Sequence, residues 1–254
     1  MTSDYILALS GNDIFSGGGL HADLATYTVN QQHGFLALTC MTAITENGFE
    51  VFPVDTALYQ AQLQSLKKVP FSGIKLGLLP NVEVAEVSLA FVKEHAGIPI
   101  VLDPVLVCKE THDVEVSSLR AELLKFFPHV TIITPNLVEA ELLSQQTIKT
   151  LDDMKAVAKL LHSYGVPNVV IKGGNRLSKT TAIDVFYDGE TLKVFESPVL
   201  DKNNTGAGCT FASSIASNLV KGLIPLDAVR EAKNFVYQAI QASNEYGVVQ
   251  YANH

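Results

Sequence analysis

The sequence predicts an α/β protein of three layers, in which helices cover both faces of a mainly parallel central sheet. Short apolar segments alternate along the 254 residues with helical patterns of about 10 to 15 residues. This alternation is typical of βαβ units, whose strands run parallel. An Asp188-Gly189 pair between two strand-like segments is a hairpin signal, which adds antiparallel strands late in the sheet. Since no linker, repeat or low-complexity segment interrupts the pattern, we expect a single domain over residues 1–254.

The predicted elements follow from apolar spacing and from turn residues. Strands are predicted where short apolar runs end in Gly, Pro, Asn or Asp, at residues 5–9, 34–41, 73–77, 98–102, 130–134, 169–171, 182–187 and 192–200. Helices are predicted from helical spacing at residues 20–32, 55–68, 82–95, 117–127, 138–143, 151–164, 209–221 and 226–244. Asp55 is a candidate N-cap, because its carboxylate accepts from amides of the first helical turn. Residues 42–52 are expected to form a loop or a hairpin.

Composition excludes several classes of protein. The chain is 47% hydrophobic with a net charge of −8, and this acidic balance argues against a nucleic-acid partner. No segment has the roughly 18 consecutive apolar residues of a membrane span, and the N-terminus lacks the basic region of a signal peptide. Three widely spaced cysteines (Cys40, Cys108 and Cys209) argue against a disulfide framework or a zinc site. We therefore expect a cytoplasmic protein without a membrane partner.

Polar residues follow several of the predicted strands. Because ligands of open parallel sheets bind outside the carboxyl ends of the strands, we expect these residues to converge at one edge. The set comprises Gly11, Asn12, Asp13, Asp103, Asn136, Lys172 and the turn at residues 206–209. Acids, an amide, a lysine and an anion-binding turn are what phosphoryl transfer requires. Polar strand ends also occur in any α/β protein, since turns need Gly, Asn and Asp.

The turn at residues 206–209 precedes an apolar, helix-forming run. Gly206 and Gly208 permit a tight turn, and the following amides, at a helix N-terminus, favour an anion. Cys209 would lie in the same field, which predicts a lowered thiol pKa and a role as proton acceptor. The alternative is an ordinary turn with a buried cysteine.

Two further polar positions each allow two interpretations. Asn136 and Glu139 are spaced to share one face of a helix start, where they would support a hydrated Mg²⁺. The same spacing also predicts a capping box. Lys172 would contact nucleotide phosphates, or it would be a solvated lysine at a strand end.

Four motifs together resemble the ribokinase-like superfamily of small-molecule kinases. They are similar to its vitamin-kinase branch, which contains hydroxymethylpyrimidine kinases and pyridoxal kinases. The motifs are Ser10–Asp13 with Ser16–Leu24, Val101–Val105, Thr134–Ala140 and Gly206–Phe211. The resemblance covers essentially the whole chain, and it implies the ribokinase-like fold with small lid loops, ATP and Mg²⁺ as cofactors, and a homodimer.

The resemblance also implies roles for individual residues. An anion hole for the transferred γ-phosphate would be formed by Gly206, Ala207, Gly208 and Cys209, with Cys209 as the base where most of the superfamily has Asp. Nucleotide contacts would come from Asn136, Lys172, Thr205 and Gly208, and Mg²⁺ would be supported by Asp103 and Glu139, with Asn136 assisting. The vitamin would contact Gly11, Asp13, Gly19, Ile44, Leu78 and Cys108.

The residues around the expected vitamin pocket favour pyridoxal. Hydroxymethylpyrimidine kinases carry a Gln where this chain has Ile44, so a pyrimidine amino group would lose a hydrogen-bond partner. Cys108 resembles the lid cysteine of dual-cysteine pyridoxal kinases, which can add to the pyridoxal aldehyde. The alternative for Cys108 is an inert loop cysteine, and Cys40 is expected in the core. Two departures from the family pattern are Asn12, where Ser is usual, and Asn204-Thr205-Gly206 in place of Thr-His-Gly.

The sequence therefore predicts an ATP-dependent kinase that phosphorylates the 5′-hydroxyl of pyridoxal, and also of pyridoxine and pyridoxamine, in vitamin B6 salvage. The alternative enzyme is a hydroxymethylpyrimidine (phosphate) kinase of thiamine biosynthesis. A vitamin-binding sensor that has the fold without turnover is a third interpretation.

Overall fold

A central sheet of eight strands organises the molecule. The computed structural model describes residues 4–106 and 113–250. The strands in these ranges are β1 (Tyr5–Ser10), β2 (His33–Leu38), β3 (Cys40–Thr45), β4 (Gly48–Pro53), β5 (Gly73–Leu76), β6 (Ile100–Leu102), β7 (Ile132–Ile133), β8 (Val169–Lys172), β9 (Thr181–Tyr187) and β10 (Leu192–Pro198). The sheet order is β10-β9-β8-β7-β6-β5-β1-β2, and β3 pairs with β4 in a separate hairpin. Strands β1, β2 and β5 to β8 run parallel to one another, whereas β9 pairs antiparallel with both β8 and β10.

Helices pack on both faces of this sheet. Within the described residues they are α1 (Gly19–Val29), α2 (Thr56–Leu66), α3 (Val82–Glu94), α4 (Asp113–Leu124), α5 (Leu137–Ser144), α6 (Leu151–Ser163), α7 (Ala207–Val220) and α8 (Pro225–Gln241), with a 3₁₀ turn at Phe127–His129. As predicted, Asp55 caps α2 by accepting from the Leu58 amide at 3.0 Å. None of the described helices is both long enough and apolar enough to cross a lipid bilayer.

Neighbouring residues of the central strands face opposite layers. On β1, Leu7 joins the large core cluster under α2 to α6, whereas Ile6 packs with Tyr27 of α1 on the other face. On β7, Ile133 joins the large cluster and Ile132 faces α7 and α8. Because side chains alternate along a strand, a fully apolar strand must be covered on both sides. The three-layer architecture predicted from the sequence is confirmed.

The region after β2 differs from the prediction of one strand over residues 34–41. Strand β2 ends at Leu38 and β3 begins at Cys40, in the hairpin with β4. Between them, the Thr39 hydroxyl donates to the Leu78 carbonyl at 2.7 Å, and the Thr39 amide donates to the Ser10 carbonyl at 3.0 Å. The amide bond continues the pairing with β1, and the hydroxyl bond ties the chain to the segment after β5 at the point where it leaves the sheet. The hairpin interpretation of residues 42–52 is therefore correct, and it was the strand boundary that was wrong.

Candidate active site

The turn before α7 forms the centre of the site. Gly206 is the N-cap of α7 with φ +82°, and a Cβ there would lie 1.6 Å from the Gly17 carbonyl oxygen. Only glycine fits this backbone and this close approach. The amides of Gly208 and Cys209 occupy the second and third positions of α7, where no intrahelical acceptor exists. The Ala207 amide, which the sequence predicted to be available for an anion, donates to the Asn204 carbonyl at 3.0 Å.

A glycine-rich loop before α1 packs against this turn. The Gly19 amide lies 3.4 Å from Cys209 Sγ and donates to it. The Gly18 amide donates to Asp13 Oδ2 at 2.8 Å, so Asp13 fixes the loop. A Cβ on Gly18 would lie 3.7 Å from Cys209 Sγ and 3.6 Å from Asp13 Oδ2. The N-terminal ends of α1 and α7 thus meet at the thiol.

The environment of Cys209 corrects the predicted direction of its pKa shift. Burial raises the pKa of the half-buried Cys209 thiol above its usual value. The positive charge of Lys75 and the hydrogen bond from the Gly19 amide both act to lower the pKa, but together they do not cancel the rise. The field of the helix N-terminus does not set the direction of the pKa shift, because the cost of removing the thiolate from water is larger. The expectation of a lowered thiol pKa was wrong.

Lys172 forms an ion pair with Asp103. Lys172 Nζ lies 2.7 Å from Asp103 Oδ1, and the Thr134 hydroxyl donates to the same oxygen at 3.0 Å. Burial favours the neutral amine, but the charges of Asp103 and Glu139 raise the pKa of Lys172 above its usual value. A Cβ on Gly208 would lie 3.4 Å from Lys172 Nζ, which places the ammonium beside the turn. Lys172 is therefore a paired, mostly buried cation, and the solvated alternative was wrong.

Asn136 and Glu139 form a capping box at the start of α5. The Glu139 amide donates to Asn136 Oδ1 at 2.9 Å, and the Asn136 amide donates to Glu139 Oε2 at 2.7 Å. Burial raises the pKa of Glu139 to about 7, against the lowering influence of Lys172. The capping interpretation is confirmed, and it leaves the carboxyl group at the same edge as Asp103.

The donor set suits a lightly held magnesium ion. Among residues 4–106 and 113–250, no three His, Cys, Asp or Glu side chains lie close enough together to hold a metal. Mg²⁺ typically keeps several waters and binds one or two carboxylates together with substrate phosphates. Asp103 and Glu139 provide two carboxyl groups beside the turn, which fits such an ion. Their role as magnesium ligands stays a prediction.

A cavity of about 390 Å³ opens on the outer side of the turn. Its walls come from β8, the loop after it, β9, β10 and the helices α7 and α8. The lining includes three predicted nucleotide-contacting residues, namely Asn136, Lys172 and Gly208. Thr205, the fourth, is not part of this lining, and its methyl group would contact a Cβ on Gly17 at 2.9 Å. The cavity therefore borders the turn at Ala207 and Gly208.

The predicted vitamin-contacting residues are only partly brought together. Gly11 lies beside Cys40 and Leu78, since a Cβ on Gly11 would meet Cys40 Sγ at 2.4 Å and Leu78 Cδ2 at 3.8 Å. The backbone at Gly19 is packed equally closely, because its φ is +56° and a Cβ there would lie 2.3 Å from the Gly11 carbonyl oxygen. Cys40 is fully buried, as expected.

Two other predicted contacts are Ile44 and Cys108. Ile44 lies on the β3–β4 hairpin and is 57% exposed. Cys108 lies outside the described residues.

Comparison with known proteins identifies the family to which this chain belongs. The family model described as phosphomethylpyrimidine kinase matches residues 13–253. The chain belongs to the phosphomethylpyrimidine kinase family. This membership confirms the resemblance to ribokinase-like vitamin kinases and makes the protein a kinase of small molecules.

Relatives within the phosphomethylpyrimidine kinase family carry two kinds of name. Pyridoxine kinase of Bacillus subtilis is 39% identical over 97% of this chain and 94% of its own length. Hydroxymethylpyrimidine/phosphomethylpyrimidine kinase of Aquifex aeolicus is 35% identical over 95% of this chain and 96% of its own.

Solved structures agree with this membership. The ADP complex of B. subtilis pyridoxal kinase superposes with TM-score 0.92 at 37% identity, covering 99% of this chain and 98% of the other. Staphylococcus aureus pyridoxal kinase with AMP-PCP and pyridoxal gives TM-score 0.90 at 29% identity, covering 99% and 94%.

Sequence reasoning missed one buried polar group whose charges act on Cys209. Lys75 of β5 and Asp23 of α1 form a fully buried ion pair, and Ser213 of α7 donates to Asp23. The available signal was a lysine inside the otherwise apolar strand at Gly73–Leu76. A charged residue at a fully buried strand position needs a partner, but the partner lies 52 positions away and the strand pattern does not identify it.

Proposed function

We propose that the protein transfers the γ-phosphate of ATP to the 5′-hydroxyl of pyridoxal, and also of pyridoxine and pyridoxamine. The observation that carries the proposal is the meeting of Cys209 Sγ with the Gly19 amide, at the turn whose outer side opens on the 390 Å³ cavity. The thiol thereby contacts the glycine-rich loop before α1, and the charge of Asp103, the partner of Lys172, also acts on it. The ADP and AMP-PCP complexes of related kinases support ATP as the donor.

Each residue has a chemical task in this proposal. The cavity holds the nucleotide, and Lys172 with the amides of Gly208 and Cys209 stabilises the negative charge of the transferred group. The vitamin oxygen forms a bond to the γ-phosphorus while the bond to the leaving ADP breaks. The hydroxyl proton passes to the thiolate form of Cys209, which becomes the neutral thiol, and the transfer needs to occur only late because the transition state is loose. Asp103 and Glu139 would hold Mg²⁺, which neutralises phosphate charge when bound.

The choice of pyridoxal rests on Ile44 and Cys108 and on the pyridoxine kinase relative. Ile44 has no amide to read an aminopyrimidine, and the loss costs about 1–3 kcal/mol only if binding excludes water from this position, which is 57% exposed. Cys108 provides a thiol for the pyridoxal aldehyde. The second candidate is phosphorylation of hydroxymethylpyrimidine, favoured by the 35% identical Aquifex relative.

Steady-state assays with ATP and each vitamin test the proposal. We expect kcat/KM for pyridoxal to exceed that for hydroxymethylpyrimidine, and a reversed preference of more than tenfold would overturn the assignment. Cys108→Ala should weaken turnover of pyridoxal more than of pyridoxine, which has no aldehyde. Equal effects on both would remove the thiol–aldehyde contact. Tight vitamin binding without turnover of any vitamin would favour the sensor.

We further infer a homodimer of single-domain subunits in the cytoplasm. The exposed apolar side chains on the β3–β4 hairpin, namely Met41, Ile44, Phe49 and Phe52, support association of two copies. Light scattering should give about twice the mass of one chain, and a monomer at micromolar concentration would contradict the dimer.

A further inference from the structure

An ion pair lies fully buried beneath the site. Lys75 Nζ donates to both carboxylate oxygens of Asp23, at 2.8 Å and 3.0 Å, and both side chains are 0% exposed. The Ser213 hydroxyl donates to Asp23 Oδ1 at 2.6 Å. Removing two charges from water costs several kcal/mol for each, and apolar residues of similar volume often stabilise a fold as well or better. Stability alone is therefore a poor reason for this pair.

The pair is attached to the same elements that carry the thiol. Ser213 follows Cys209 by four positions on α7, so both side chains lie on one face of the helix. Asp23 belongs to α1, whose first residue, Gly19, donates to Cys209 Sγ. Lys75 reaches the carboxyl end of β5, because a Cβ on Gly77 would lie 2.8 Å from its Nζ. The ammonium is thus fixed from β5, α1 and α7.

Several charged or titratable groups from neighbouring elements act on Cys209. Lys75 on β5, Asp23 on α1 and Asp103 after β6 shift its pKa, and Cys209 in turn influences Tyr27 on α1 and Lys172 at the end of β8. Among the charges that shift the pKa of the Cys209 thiol, Lys75 has the largest effect and lowers it, whereas Asp23 and Asp103 raise it. Burial favours neutral Lys75, but the charge of Asp23 holds the pKa of the lysine above its usual value. Asp23 thus keeps Lys75 positive.

We propose that Lys75, held in place by Asp23, is a positioning residue whose charge stabilises the thiolate of Cys209. Its catalytic meaning rests on the proposed function, in which Cys209 accepts the hydroxyl proton. The electrostatic part stands by itself, because the thiol titrates whether or not a vitamin is phosphorylated. The arrangement offsets the desolvation of the thiolate with a fixed, fully buried cation.

Alkylation of Cys209 tests this directly. The intact protein is treated with iodoacetamide between pH 6 and 10, and the Cys209 peptide is followed by mass spectrometry, separately from those of Cys40 and Cys108. Lys75→Met should raise the midpoint of the rate profile, and a shift of one unit lowers the rate at neutral pH about tenfold. Asp23→Asn should raise the midpoint as well, because burial favours neutral Lys75 once the counter-charge is removed, and a neutral lysine no longer stabilises the thiolate. The two variants thus remove the same positive charge, one by deleting the lysine and the other by discharging it.

Two variants keep the test decisive. Lys75→Met with Asp23→Asn leaves no unpaired charge, so it serves if the single variant fails to fold, and its midpoint should also rise. Lys233→Met is the matched control, since it removes the lysine of another mostly buried pair, with Asp184, and should leave the Cys209 midpoint unchanged. An unchanged midpoint in both variants that lack Lys75 would overturn the proposal. If Cys209→Ala retained full turnover while the midpoints shifted as expected, the base role would fail and the electrostatic role would stand.

Discussion

Lys172 Nζ lies 2.7 Å from Asp103 Oδ1, so the cation beside the turn at residues 206–209 is paired with a carboxylate. Asp103 is 3% exposed in its side chain and Lys172 is 17% exposed. The pair links β8 to the loop after β6, and it holds the ammonium in the lining of the 390 Å³ cavity. One contact thus connects the stability of the sheet edge with the proposed binding of phosphate.

Lys172→Met should impair both properties. It leaves a buried carboxylate without its cation, which we expect to lower the free energy of unfolding by about 3 kcal/mol. It also removes a positive charge from the phosphates, so KM for ATP should rise more than KM for the vitamin. Urea denaturation and steady-state kinetics measure the two effects. Lys155→Met is the control, because its pair with Asp152 is exposed and should be worth less than about 1 kcal/mol. Equal losses in the two variants would contradict the role of burial.

Gly206→Ala should be far more damaging than Gly222→Ala. Both glycines have positive φ, +82° and +90°, but a Cβ at Gly206 meets the Gly17 oxygen at 1.6 Å, whereas at Gly222 nothing lies within 4 Å. Gly222→Ala should cost about 1–2 kcal/mol from backbone strain alone. Gly206→Ala must also separate the two loops at Cys209, so we expect loss of activity and a larger fall in stability. Thermal melting and kinase assays of the pair check this, and similar values would contradict the close packing.

Cys209→Ala should reduce kcat with little effect on KM for ATP. Removal of a general base typically costs about 10²- to 10⁴-fold, whereas the amides and Lys172 that hold the phosphates remain. The matched control is Ser214→Ala, a small truncation of a buried residue on the same helix, which should retain near-normal turnover. A kcat within a factor of three of the original enzyme would exclude Cys209 as the base.

Local sequence patterns predicted the three layers and the sheet edge that carries the candidate site. The electrostatic environment of that site depends on residues far apart in the sequence, which these patterns do not show. Alternating apolar strands and helices are properties of short segments, so the parallel sheet was predictable from the sequence. The direction of the pKa shift of Cys209 was not, because it depends on how β5 and α1 enclose the thiol. The division at Thr39 also required a partner, the Leu78 carbonyl, 39 positions away. For Asn136 and Glu139, one spacing encodes both a capping box and a pair of polar ligands, so spacing alone left both interpretations open.

The stability of the protein should fall as pH rises from about 4.5 to about 7, as far as Glu139 contributes. Its pKa is about 7 in the folded protein against 4.5 in an exposed carboxyl group. In this range the folded state keeps a proton that the unfolded state releases, so unfolding becomes easier with each step in pH. The full contribution is on the order of 3 kcal/mol. Above about pH 7 Glu139 is ionised in both the folded and the unfolded state, so its contribution to stability no longer changes with pH.

Glu139→Gln should remove that slope while preserving the cap, because the amide oxygen still accepts from the Asn136 amide. Denaturation by urea at several pH values, in EDTA and without nucleotide, measures the difference between the variant and the original protein. The variant should gain relative stability from pH 5 to pH 8. The control Asp152→Asn changes an exposed carboxylate and leaves Glu139 in place, so the original slope should persist. If the free energy of unfolding changed with pH in the same way for Glu139→Gln and for the original protein, another group would carry the pH dependence. A buried carboxyl group that keeps its proton only in the folded state must make the free energy of unfolding depend on pH.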